Sequence, residues 1–472
     1  MTNDALSYDV RIYKIETRKR TKVTNYRTRW SVNGERFGEP FATRKLAESY
    51  RSALQQAASR GEAFDTRSGL PRSLGVARAG RTWVEVAREF IDDRWEDFAP
   101  RHRKSTAEGL VTLTCALVKE GKTPPDDRAL RQALKYWEFN TAARTTADDP
   151  PDEHREAVRW ISENSRPVSY LNELDGVKAA IDALSRKLDG SKAAKSTIAR
   201  KRAALSGVLN FAVERDYLEK NLMSHVRTPR RPNADAIDPG VVVNPDQARA
   251  LLDAVLTIDP TLHALFAASY YAGLRPAEAR NLREGDLKLP EAGWGEIILR
   301  KGYQESGSAW TDDGKRGEER GLKHRDEDTT RPVPAHPDLV KALRRHLDEH
   351  GTGVEGRLFV TRVGRGGKGG VPLPPPYQNP VNQKTVYRAW ESARAEALKP
   401  RQYASALART PYDLRHACVS TWLSAGVDAT QVAKWAGHSV AVLLRVYAAC
   451  LDDTENAAKA RIEQAMKTDP DA

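Results

Sequence analysis

Trp435-Ala436-Gly437-His438-Ser439-Val440-Ala441-Val442-Leu443-Leu444-Arg445-Val446-Tyr447 is the stretch on which the reading of this chain turns. It sets a histidine just after a helix-ending glycine and a tyrosine nine residues further on, inside an apolar run. Upstream lie Tyr412-Asp413-Leu414-Arg415-His416 and Gly273-Leu274-Arg275-Pro276-Ala277-Glu278. Taken alone, the tyrosine would pack in a core and Arg275 would sit on a helix surface. Taken together, two arginines, a histidine and a tyrosine are what breaking a phosphodiester through a covalent protein link requires.

The chemistry explains those residue types. The transition state is a pentavalent phosphorane with extra charge on its non-bridging oxygens. Without a metal it needs cations against those oxygens, a nucleophile in line and an acid for the leaving 5′ oxygen. Arginine suits the first task because its planar fork donates two parallel hydrogen bonds and stays charged. A phenol, with a pKa of about 10, is a poor nucleophile near neutrality unless cations favour the phenolate as it forms. Arg275 falls at a helix start, between Gly273 and Pro276. Arg415 opens a helix that runs through Ala417, Thr421 and Trp422 to Gly426, a C′ candidate. His438 follows Gly437, past a helix end rather than on an apolar face.

Whole-chain properties agree with a polyanionic partner. The 472 residues exceed one core and suggest two to four domains. The formal charge is +12 and 30% of residues are charged. Residues 1–80 carry 16 Lys and Arg against 8 Asp and Glu, and 81–233 carry 28 against 24, while the remainder balances, so the surplus is N-terminal. No apolar run approaches the roughly 18 residues of a spanning helix, which makes a membrane partner a poor rival reading. Met1-Thr2-Asn3-Asp4 opens no signal-peptide pattern, and Cys115, Cys418 and Cys450 indicate neither a disulfide framework nor a zinc site. A reduced, cytoplasmic protein is expected. No Walker motif or metal-ligand cluster is evident in the sequence, and no cofactor is expected.

The fold expected is multidomain and mainly α with small β-sheets. Residues 1–66 read as a three-stranded sheet plus helix. Tyr26-Arg27-Thr28-Arg29-Trp30-Ser31-Val32 alternates, with Tyr26, Trp30 and Val32 on one face and Arg27, Arg29 and Ser31 on the other. Asn33-Gly34 supplies a type I′ turn that sets Val32 opposite Glu35, Ser31 opposite Arg36 and Trp30 opposite Phe37. Asp9 to Ile15 is a third strand, and Thr43 caps a helix with Leu46, Tyr50 and Leu54 on one face. A strand ribbon carrying Arg27, Arg29 and Arg36 fits a major groove, although a solvated sheet face is the plainer alternative.

Arg67 to Gly75 reads as a linker, after which 80–232 is helical, with Val84, Ala87, Phe90 and Ile91 on one face. A long helix from Ser191 to Val213 carries an Ile198, Leu205, Val208 and Leu209 stripe, and also Lys192, Lys195, Arg200, Lys201 and Arg202. Those cations are either a solvated face or a DNA contact. Residues 121–165, rich in Pro, Asp and Glu, read as an insertion. Arg227 to Asn233 is a second, basic linker. A third domain, 240–472, opens at Asn244-Pro245 and has a β segment at Glu296 to Arg300 and Thr330 to Val333. Residues 301–322 suit an extended hairpin loop.

The motifs resemble those of the tyrosine recombinase (phage integrase) family, most fully over residues 240–452. Arg415 to His438 spans 23 residues and His438 to Tyr447 nine, as in that family. The resemblance implies a mixed α/β catalytic domain in which Arg275 and Arg415 clamp the phosphate, Glu278 supports, His438 hydrogen-bonds the phosphate and Tyr447 attacks. It implies a hairpin lysine that protonates the leaving oxygen. Gly321-Leu322-Lys323-His324 before Arg331-Pro332-Val333-Pro334 points to Lys323, with Lys315 and Lys301 as competitors. One position departs: three before Arg415 the family usually has histidine, and here stands Tyr412. Tyr412 can donate to a phosphate oxygen but cannot shuttle protons near pH 7. His416 is usual in the family and reads as structural.

The implied function is site-specific recombination of a phage or mobile element through a 3′-phosphotyrosine. The partners implied are double-stranded DNA at core and arm sites, a homotetramer on DNA, and an excisionase or DNA-bending accessory protein. A helix bearing Ala457, Ala460, Ile462 and Met466 would dock on a neighbouring subunit. A type IB topoisomerase and a DNA-binding protein with a decayed site are the rival readings.

Overall fold

The computed structural model describes residues 6–20, 23–41, 43–71, 80–226, 237–322, 329–364 and 370–447, with isolated positions 459 and 466. The chain forms two compact units, Met1–Thr228 and Pro229–Ala472.

In the first unit, Val23–Val32 is the middle of an antiparallel sheet, with Glu35–Phe41 on one edge. The expected pairings appear: Val32 opposite Glu35, Ser31 opposite Arg36 and Trp30 opposite Phe37. Asn33 (φ 50°) and Gly34 (φ 83°) supply the turn. The other edge is broken in two, Val10–Ile12 and Glu16–Arg20, so four strands fill three rows. Helix Arg44–Ser59, capped by Thr43, covers the apolar face. Its buried positions are Ala47, Leu54 and Ala57, whereas Leu46 is 55% exposed. The reason is local: Thr28 donates to the Ala47 carbonyl oxygen at 3.0 Å, a close approach that turns the small residue inward and Leu46 outward.

The stretch read as a linker is partly built into this module. Phe64 and Leu70 are buried, and Trp30 Nε1 donates to the Gly69 carbonyl oxygen at 2.5 Å. Gly69 has φ +68°, and a Cβ there would lie 2.3 Å from the Phe37 ring.

Helices Trp83–Asp93, Pro100–Ala116, Leu174–Leu184 and Lys195–Glu214 make the bundle that follows. A Thr82–Glu85 capping box starts it. Gly109, facing the Ala204 Cβ, and Gly207, under the Phe90 ring, let the helices approach closely. Residues 121–165 fold as helices Asp127–Ala133, Thr141–Thr146 and Asp152–Asn164 around buried Leu130, Trp137, Phe139 and Ile161. Lys192 precedes the long helix instead of lying on it, because the chain first turns through an Arg186–Lys192 bridge.

In the second unit, Asn244 and Gln247 cap helix Pro245–Ile258 reciprocally. With helices Pro260–Tyr271, Pro337–His350, Gln383–Ala397 and Tyr412–Ser424 it encloses a core that includes Phe266 stacked on Trp390 at 5.0 Å. Gly295–Leu299 pairs Arg331–Ala335, and Lys301–Glu305 pairs Gly317–Gly321 as the extended hairpin. Arg280 on Glu305 and Arg357 on Glu319 fasten the hairpin strands to the body of this unit. No helix among the described residues is long and apolar enough to cross a membrane.

Candidate active site

Four chain segments meet around one carboxylate. Gly273 (φ +60°) ends helix Pro260–Tyr271 and lets the chain reverse; a Cβ there would press on Cys418 and Trp422. The reversal leaves Arg275 at the N-cap of the short helix Pro276–Ala279, with Glu278 one turn on. Glu278 accepts from the Arg275 backbone N–H at 2.8 Å, from Arg275 Nη1 at 2.8 Å and from Arg331 Nη2 at 2.7 Å. Burial alone would raise its carboxyl, but Arg331, Arg275 and Arg415 outweigh this and hold it at about 2.

Helix Ala429–Ala436 ends in the left-handed Gly437 (φ 64°, ψ 47°). That cap exposes its last carbonyl oxygens to the arginines. Arg275 Nη2 donates to the Gly437 oxygen at 2.6 Å, and Arg415 Nη2 to the Ala436 oxygen at 2.6 Å. Arg415 Nη1 donates to the Gly273 oxygen, tying the two halves of the site together. Gly437 is required by space as well as by φ, since a Cβ would lie 2.2 Å from Arg331 Nη1.

His438, next in the chain, faces Arg415 Nη2 through Nε2 at 2.8 Å. A guanidinium only donates, so Nε2 is the acceptor and the imidazole proton sits on Nδ1. Burial, then Arg415, Arg275 and Arg331, push His438 down to about 3, so it is neutral at pH 7. Its Nδ1, with Arg331 Nε and Arg415 Nε, is buried with no hydrogen-bond partner among the described residues. Among the described residues, three guanidiniums face one carboxylate, a surplus of two positive charges. Buried donors without acceptors are costly, and an anion would satisfy them.

Tyr447 closes helix Val440–Tyr447 and is fully buried. Its hydroxyl lies 3.0 Å from His416 Nδ1, and its ring 6.3 Å from that of His438. Burial and then Arg415 push His416 down to about 4. Tyr412, one turn before His416, packs its ring edge-on to that imidazole at 4.9 Å, with the Arg415 Cζ 6.0 Å from the ring centre.

Arg275, Arg415, His438, Tyr447 and Tyr412 are thus brought into one neighbourhood. Lys323 lies outside the described residues, just past the hairpin strand Gly317–Gly321; Lys315 pairs with Asp313 at 3.0 Å on the hairpin tip. The cations read as DNA contacts are elsewhere, in the first unit. Arg27 lies over Gly38, Arg29 reaches Glu16 at 3.4 Å, and Arg36 is exposed. Lys192, Lys195 and Arg200 are exposed, whereas Lys201 turns back onto Thr112 at 2.9 Å and Arg202 is half-buried.

The sequence reading missed two residues. Arg331 is 1% exposed and central, and its signal was alternation: Arg331, Val333 and Ala335 share the inward face of one strand. His416 was read as structural but touches the tyrosine hydroxyl; being one turn beyond Tyr412 is all that the sequence offered.

Residues 242–453 match the phage integrase family. No curated protein sequence matches the chain. Among solved structures, the Tn1549 transposon integrase in complex with a circular intermediate DNA is 16% identical, covering 71% of this chain and 99% of that one with a TM-score of 0.44. XerH recombinase bound to difH substrate is 13% identical, covering 78% and 97% with a TM-score of 0.40. XerA recombinase is 19% identical, covering 72% and 94% with a TM-score of 0.31. The matched segment, residues 242–453, holds the arginine cluster, His438 and Tyr447, so this part of the chain is similar to the phage integrase family.

Proposed function

We propose that the protein is a site-specific DNA recombinase that integrates or excises a phage or other mobile element. Tyr447 attacks the scissile phosphorus, giving a 3′-phosphotyrosine and a free 5′-hydroxyl; the hydroxyl of a partner strand then reverses the step. Arg275 and Arg415 clamp the non-bridging oxygens, the Nδ1–H of His438 donates to one of them, and Lys323 protonates the leaving 5′ oxygen. Tyr412 contributes at most a hydroxyl to the phosphate. The bond energy stays in the ester, so the exchange needs no nucleotide.

The observation that carries this reading is the buried surplus of two positive charges beside a tyrosine. A phosphodiester carries one negative charge and its phosphorane transition state about two, so the pocket complements the transition state better than the ground state. The enzyme works as a homotetramer on double-stranded DNA. The N-terminal sheet holds arm sites through Arg27, Arg29 and Arg36, and the helical region holds the core site through Lys192, Lys195, Arg200, Lys201 and Arg202. An excisionase or DNA-bending protein sets the direction.

The test is trapping on a nicked suicide substrate. Wild type is expected to form a covalent adduct and Tyr447→Phe none, with DNA binding retained. Equal labelling of the two would overturn the reading. A two-site assay then separates strand exchange from simple relaxation.

A further inference from the structure

We propose that His416 is the base that takes the Tyr447 proton, and so carries out a proton transfer for which position 412 has no suitable group. The inference rests on the recombinase reading. In the cleavage step the phenol O–H breaks as its proton passes to His416 Nδ1. The Oη–P bond forms while the P–O5′ bond breaks, and the leaving O5′ takes a proton from the Lys323 ammonium. Rejoining runs the same transfers backwards: the attacking 5′-hydroxyl returns its proton to Lys323, and the His416 imidazolium reprotonates Tyr447.

Geometry selects His416 by elimination. It alone among the two histidines near the phenol has a nitrogen on the hydroxyl, at 3.0 Å. His438 is nearby, but its Nε2 lone pair is committed to Arg415 and its Nδ1 carries the proton, so it has no free lone pair. Tyr412 stands one turn before His416 with its ring against the imidazole, and a phenol cannot accept a proton near neutral pH. The arginines only donate. His416 is one residue past Arg415, at the start of helix Tyr412–Ser424, so the same turn holds a clamping cation and the base in fixed relation.

The surroundings suit a base rather than a resting cation. Among the described residues, the titratable or charged groups facing His416 are Tyr412 and Arg415 on its own helix and Tyr447 on helix Val440–Tyr447, with His438 beyond the phenol. Burial and then Arg415 keep the imidazole neutral and ready to accept. A phosphate that neutralises Arg415 removes part of that penalty when the proton has to move.

Pre-steady-state cleavage of a nicked suicide substrate by the full-length chain, from pH 6 to 9.5, tests this. His416→Asn keeps an acceptor near the Nδ1 position but cannot take up a proton. Cleavage at pH 7 is expected to fall about 10²-fold. The variant's rate should climb roughly tenfold per pH unit, closing the gap, while wild type stays nearly flat above neutrality. Placing 3,5-difluorotyrosine, a more acidic phenol, at 447 should accelerate the variant far more than the wild type. A variant slower by one constant factor at every pH and indifferent to fluorination makes His416 a mere packing residue and overturns the proposal. So does a variant as fast as wild type. If wild type itself forms no adduct, the recombinase reading falls and takes this proposal with it, an outcome distinct from the other two.

Discussion

Arg331 Nη2 donates to Glu278 Oε2 at 2.7 Å, an ion pair whose two side chains are 2% and 4% exposed. It joins the strand after the hairpin to the helix carrying Arg275. Because Glu278 also takes Arg275 Nη1, one carboxylate sets the spacing of two guanidiniums.

Glu278→Gln keeps the shape but leaves three guanidiniums with no counter-charge. Breaking a buried pair from one side costs roughly 3–5 kcal/mol. Chemical unfolding of the variant should show a loss in that range for the second unit, and a near-neutral result would mean that the cluster is far wetter than its burial indicates.

Gly437→Ala places a methyl 2.2 Å from Arg331 Nη1 and asks an L-residue to hold φ +64°. The left-handed conformation costs about 1–2 kcal/mol, which the fold can absorb. Displacing Arg331 and the neighbouring Arg275 is the larger effect. Cleavage is therefore expected to fall by more than about tenfold while the unfolding transition stays cooperative, since small shifts of positioned groups cost rate steeply.

Acid should weaken the second unit before carboxylates titrate. His263, His346 and His416 are each pushed down to about 4 and His438 to about 3, in every case chiefly by burial. A depressed folded-state value means that the unfolded chain binds the proton first. Stability is therefore fully present above pH 6.5, the ordinary histidine value, and drains away as pH falls towards 4 and 3. Each histidine contributes a slope of about 1.4 kcal/mol per pH unit within that window. Glu278, held at about 2, acts with the same sign at lower pH, from about 4.5 downward. Urea midpoints measured from pH 7.5 to 4.5 check this, and a flat series would contradict it.

On the N-terminal sheet, Arg36 is exposed at its edge of the basic face, while Arg29 has Glu16 at 3.4 Å. If that face meets phosphates, Arg36→Ala should weaken DNA binding about equally across sequences and reduce the salt slope by about 1. Arg29→Ala should do less, because Glu16 already neutralises it. Fluorescence anisotropy at several salt concentrations separates the two.

Local rules made much of this legible beforehand. Asn33-Gly34 determined a hairpin register to the residue, Asn244-Pro245 marked a helix start, and Gly426 and Gly437 marked ends, because each depends only on neighbouring backbone. Leu46 misled because periodicity cannot tell which of two adjacent helix faces a sheet will approach, and Thr28 decided for Ala47. Residues 121–165 read as an insertion by composition, and that they bury Trp137 and Phe139 only a tertiary partner could show. In the site, motif spacing drew attention to Arg275, Arg415, His438 and Tyr447. Arg331 and His416 escaped because their significance lies in contacts that span 53 and 31 residues.

The three guanidiniums are tethered to Gly273, Ala436, Gly437 and Glu278 by the fold itself. Their mutual repulsion is accordingly borne by the folding reaction, and under the proposed function a bound phosphate would discharge it. Laboratory selection for heat tolerance alone should thus drift towards neutral side chains at 275, 331 or 415, and selection for strand exchange should restore arginine there. The most robust form of this unit and the most active one are different sequences.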